Sequence, residues 1–122
     1  MPKTTNLYTC GPTVYNYAHI GNLRSYVMSD IIYRIAKETK TEPVKWVINI
    51  TDVDDKTIKN TIAKFGQEAN VNDLKNYTDL YYKYFLQDLD KLNIERKRIN
   101  FIKVSEVIPQ IQDFITRLID KG

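Results

Sequence analysis

"VKWVINI", residues 44–50, is rich in β-branched side chains and carries apolar residues at both odd and even positions. That composition predicts a strand buried on two faces, as parallel sheets bury theirs. Pro43 marks its start. Upstream, "NLYTC" (6–10) is short, β-prone and halted by Gly11-Pro12, a turn signal. Between the two, Ile20, Leu23, Val27, Ile31 and Ile35 recur at steps of three and four, which predicts an amphipathic helix over about 19–38. Strand, helix, strand in that order, with so long a crossover, reads as a right-handed parallel βαβ unit. Downstream, "DDKTIKNTIAKFG" (54–66) predicts a helix closed by Gly66. A longer helix runs from a cap at Asn72 to about Leu92, and "INFIKV" (99–104) reads as a short strand. Ser105 is expected to cap a last helix, with Pro109 tolerated in its first turn. The fold class is α/β.

A chain of 122 residues fits one domain with a modest core. Its 43% hydrophobic and 27% charged residues are ordinary for a soluble globular protein. Apolar runs are only a few residues long, so nothing in the sequence resembles a signal peptide or membrane span, and the cytoplasm is the expected location. One cysteine cannot close an internal disulfide, in keeping with a reducing compartment. A net charge of +3 permits an anionic partner without requiring one.

The one cysteine and the one histidine both fall in "CGPTVYNYAHIGN", 10–22. In a parallel sheet, ligands gather where strands end and the next helices begin. Here those ends are Cys10-Gly11 and Ile50-Thr51. Unpaired N–H groups and the helix dipole at His19-Ile20-Gly21-Asn22 favour an anion by roughly 0.3–1 kcal/mol per exposed charge, and phosphate is the usual one. His19 can add a donor, and Gly21 lets a base or ribose lie against the backbone. The competing structural readings are a capping or solvent-facing His19, and tight helix–strand packing at Gly21. At the second strand end, "NITDVDDK" (49–56) holds three aspartates that suit helix capping and lack the glycine and glutamate of a calcium loop. Thr51 is placed to offer its hydroxyl to a ligand between the two loops.

These residues carry a resemblance. "YTCGPTVYNYAHIGNLRSYVMSDIIYRI" followed by "VKWVINITDVDDKTI" resembles the start of cysteinyl-tRNA synthetase, a class I aminoacyl-tRNA synthetase, and the later "FLQDLDKLNI" and "LIDKG" fit the same family. The resemblance implies a Rossmann-like nucleotide-binding fold and ATP-dependent joining of cysteine to tRNA(Cys). It matches Cys10 to a zinc ligand, the zinc taking the substrate thiolate and so rejecting serine. Gly11, Thr13 and Thr51 match positions lining the amino-acid pocket. His19, Gly21 and Asn22 match the first class I signature, which grips ATP, with Asn22 standing where a second histidine is usual. In this reading His19 and Asn22 serve catalysis by positioning and charge stabilisation rather than as general bases.

Full-length members of that family are several times longer. No K-M-S-K-S equivalent and no second Cys or His occur in the 122 residues. The chain is therefore expected to be the N-terminal part of the catalytic domain, residues 1–122, inactive or feeble alone. Two other features invite a nucleic-acid reading. "ERKRIN" (95–100) can meet a tRNA backbone, although a charge run more often forms a solvated face. Leu74, Tyr77, Tyr81, Phe85 and Leu89 at helical spacing form a packing stripe more simply than a base-stacking platform. The rival functions are a cysteine ligase joining cysteine to an amino sugar, a nucleotidyltransferase with a similar phosphate site, and a truncated nucleotide-binding or interaction module.

Overall fold

The computed structural model describes residues 3–122. Its centre is β2 (Val44–Ile50), flanked by β1 (Thr5–Thr9) and β3 (Ile99–Lys103) in a parallel sheet of order β1-β2-β3. Parallel neighbours need long crossovers. Helix α1 (Ile20–Thr39) supplies the first; α2 (Asp55–Phe65) and α3 (Val71–Lys91) supply the second; α4 (Ile108–Lys121) follows β3. The register pairs Thr5 with Val44 and Trp46 with Ile99.

Aromatic contacts show which face the helices cover. Tyr33 of α1 stacks on Trp46 at 5.6 Å, and Phe85 of α3 meets Tyr26 at 5.0 Å and Phe101 at 6.4 Å. Trp46, Ile48 and Ile50 share one parity of β2, and their partners across the register include Ile99 and Phe101. Both crossovers therefore lie on the same face. Trp46, Ile48, Ile50 and Leu89 are at most 1% exposed there. On the opposite parity Lys45 is exposed and Val47 and Asn49 are only half-buried. The expected burial of β2 on both faces is thus corrected to one, because Val47 stands alone between two polar residues on the uncovered side.

The row that betrays α1 as a helix is likewise not the row it buries. Ile20 is 81% and Ile35 58% exposed, while Tyr26, Asp30 and Tyr33 face the core. Tyr33 stacks on Trp46 and Tyr26 meets Phe85 edge-to-face, and those contacts outweigh the aliphatic periodicity. The stripe on α3 does pack as expected, with Tyr77, Phe85 and Leu89 buried. "ERKRIN" is largely a paired surface: Arg96 meets Asp90 at 2.7 Å and Arg98 meets Glu95 at 2.6 Å.

Two caps differ from expectation. Asn70, not Asn72, caps α3, its side chain accepting from the N–H groups of Asn72 and Asp73. Ser105 does not cap α4, which starts without a side-chain cap. Its N–H and hydroxyl instead donate to Asp52. Gly66 ends α2 at φ 92°, and Pro109 falls in the first turn of α4, both as expected. No helix among the described residues is long and apolar enough to cross a membrane.

Candidate functional site

The chain leaves β1 at Thr9 and crosses the end of β2 before entering α1. Gly11 makes that crossing possible. A Cβ on Gly11 would stand 1.5 Å from the backbone oxygen of Asn49, inside any tolerable contact. The loop is then laced to β2: Thr51 N–H donates to Pro12 O at 3.0 Å, and Val14 N–H donates to Thr51 O at 3.1 Å. Asn49 joins both strand ends. Its Oδ1 accepts from the Gly11 N–H and from the Tyr8 hydroxyl, each at 2.9 Å, and its Nδ2 donates to the Thr51 hydroxyl at 3.2 Å. Helix α3 supports the far side of the loop. Tyr77 donates its hydroxyl to Tyr15 O at 2.7 Å, and Tyr17 lies against Tyr81 and Tyr84 at 5.4 and 4.9 Å.

At the start of α1, His19 and Asn22 form a capping box. His19 Nδ1 accepts from the Gly21 N–H at 3.1 Å, and Asn22 Oδ1 accepts from the His19 N–H at 3.3 Å. In a neutral imidazole an accepting Nδ1 leaves the proton on Nε2. His19 is therefore an exposed helix cap, as one of its two structural readings expected, with Nε2 left as its donor. Gly21 serves the imidazole rather than helix–strand packing, since a Cβ there would come 3.0 Å from His19 Cε1.

A cavity of about 270 Å³ opens between the loop and α1. Gly11, Thr13, His19 and Asn22 line it, together with Tyr15 and Lys56. Four of the seven residues singled out from sequence thus meet on one wall. Cys10, Gly21 and Thr51 do not line it. Cys10 is exposed beside Gly11, and its carbonyl accepts from the Tyr26 hydroxyl at 3.4 Å. Burial, with the nearby Cys10 as a smaller cause, pushes the Tyr26 phenol well above its ordinary range and keeps it a neutral donor. The Thr51 hydroxyl oxygen accepts from Asn49 Nδ2 and does not line the cavity. Asn49 and Lys56 were missed by reasoning from sequence. The signals available were a polar residue inside an apolar strand and a lysine in the first turn of a helix, where the dipole disfavours it.

The three aspartates divide. Asp54 caps α2, accepting from the Lys56 N–H at 2.7 Å, and Asp55 lies exposed in the first turn. Asp52 is 6% exposed and holds Ser105. Among the described residues no group of three or more His, Cys, Asp or Glu side chains could hold a metal ion. Zinc needs at least three protein donors, so Cys10 and its described neighbours do not by themselves fit a zinc site.

The whole chain, residues 1–122, matches a protein family described as tRNA synthetases class I (C) catalytic domain. It is 46% identical over 116 residues to the cysteine–tRNA ligase of Chlamydia pneumoniae, covering 95% of this chain and 23% of that protein. It is 41% identical over 118 residues to that of Mycoplasma mycoides subsp. mycoides SC, covering 97% and 25%. Over 94 residues it is 46% identical to that of Brachyspira hyodysenteriae, covering 77% and 18%. The chain spans a quarter or less of the length of these curated relatives.

Proposed function

Since this chain belongs to the family of class I (C) tRNA synthetase catalytic domains, the cysteinyl-tRNA synthetases, we propose that it forms the N-terminal part of a catalytic domain that activates cysteine with ATP and transfers it to tRNA(Cys) in the cytoplasm. A carboxylate oxygen of cysteine attacks the α-phosphorus of ATP, the bond to the bridging oxygen breaks, and pyrophosphate leaves. A ribose hydroxyl at the tRNA 3′ end then attacks the carbonyl of cysteinyl-adenylate, and AMP departs. Neither step asks this chain for a strong base. Both ask it to hold the reactants in line and to stabilise charge on phosphate oxygens.

The observation that carries the reading is the capping box opening onto the cavity: His19 and Asn22 stand on the same wall as Gly11 and Thr13. In this assignment His19 Nε2 and the Asn22 amide donate to the phosphate chain, Gly21 keeps the imidazole in place, and Gly11 and Thr13 border the amino acid. Thr51 acts through Asn49 by fixing the loop. Cys10, at the edge of the same loop, is proposed as one donor to a zinc ion whose site needs further donors.

Calorimetric titration with ATP and with a non-hydrolysable cysteinyl-adenylate analogue tests the assignment. The chain is expected to bind both, and His19→Ala to weaken ATP by roughly tenfold, the worth of one strong hydrogen bond. A folded chain with affinity for neither ligand would overturn it.

A further inference from the structure

We propose that Lys56, from the first turn of α2, is a phosphate ligand of this site and supplies the positive charge that α1 does not. The inference rests on the nucleotide reading above and adds a residue to it. Among the described residues lining the cavity, Lys56 is the only formally charged side chain, and no carboxylate shares the wall. Asn22 is neutral at every pH, and His19 uses Nδ1 to hold its own helix. The cavity thus offers donors and a single fixed cation, the chemistry of an anion site.

The disposition of Lys56 points the same way. It occupies the first turn of α2, directly after Asp54 and Asp55. Its ammonium would gain most locally by pairing with one of them and staying clear of the positive helix end. Among the described residues it makes no ion pair. Nζ lies instead 5.1 Å from the centroid of the Tyr15 ring, on the cavity wall. A cation–π contact of this kind is weak at an exposed site. It steers the side chain while leaving its N–H groups free. A local preference broken at a cavity wall, with no carboxylate to neutralise the ammonium, is the mark of a binding residue rather than a stabilising one.

The test titrates ATP, inorganic tripolyphosphate and adenosine into the unaltered chain, Lys56→Gln and Lys56→Arg, with thermal unfolding followed in parallel. Lys56→Gln is expected to lose roughly tenfold in affinity for ATP and tripolyphosphate, to leave adenosine unchanged, and to flatten the salt dependence of ATP binding. Lys56→Arg is expected to keep most of the ATP affinity, and all three proteins to unfold at the same temperature. Unchanged ATP affinity in Lys56→Gln overturns the role of Lys56 and leaves the nucleotide reading standing. An equal loss for adenosine, or a loss in Lys56→Arg as large as in Lys56→Gln, overturns it by showing a structural role. An unaltered chain that binds no ATP overturns both.

Discussion

The loops after β1 and β2 begin alike, at the carboxyl end of a parallel strand, and dispose of their polar groups in opposite ways. The loop after β1 is anchored by buried Val14 and leaves its cysteine and histidine at the surface. Cys10, His19 and Asn22 are exposed, and the two residues of the capping box line a cavity. The loop after β2 turns inward: Asp52 is buried and consumed by Ser105, and Asp54 is consumed by α2. Charge count alone would have pointed to the aspartates as the chemical centre. Their hydrogen bonds show that they brace the scaffold, while the nearly uncharged loop is left free to meet a ligand.

The contrast can be broken most severely at Gly11, where the first loop crosses the end of β2. Gly11→Ala places a methyl group on the Asn49 carbonyl. It should lower stability by about 4 kcal/mol or more, in the range reserved for forced backbone shifts. Denaturant unfolding measures it, and a loss below 1 kcal/mol would mean that the loop does not press on β2. Next is Asp52→Ala, which removes a buried carboxylate accepting two hydrogen bonds and should cost about 2–3 kcal/mol with little change in ATP affinity. A larger effect on ATP than on unfolding would move Asp52 from brace to site. The smallest effect on stability is expected at Gly21→Ala. The helix gains about 1 kcal/mol in propensity and loses a comparable amount as the methyl displaces the capping imidazole. Unfolding should shift by less than about 0.5 kcal/mol while ATP affinity falls, and unchanged ATP binding would separate the cap from the ligand site.

Much of this was legible in the sequence, because element order and type follow from periodicity. β2, the sheet-to-helix alternation and the α3 stripe needed nothing else. Which face each element buries was not legible in the same way. Tyr26 and Tyr33 belong to the core because Phe85 and Trp46, far along the chain, meet them, and no local window contains that pairing. The same limit applied at the site. His19 and Cys10 stand out by rarity and spacing. β2 and α2 bring Asn49 and Lys56 beside a loop that precedes them by a whole crossover, and the local oddity of each gives no hint of that neighbour. Ser105 misled for a similar reason: a serine ahead of a helix reads as a cap until Asp52 is found beside it.

The parallel register has a consequence for how the molecule comes together. Thr5 waits for Val44, and Trp46 waits for Ile99. Each ladder closes a long stretch of chain before any of its bonds can form, so the sheet is entropically late, whereas the helical turns need only near neighbours. The cavity joins the loop after β1 to the first turn of α2, so its two sides meet only through the β1–β2 ladder.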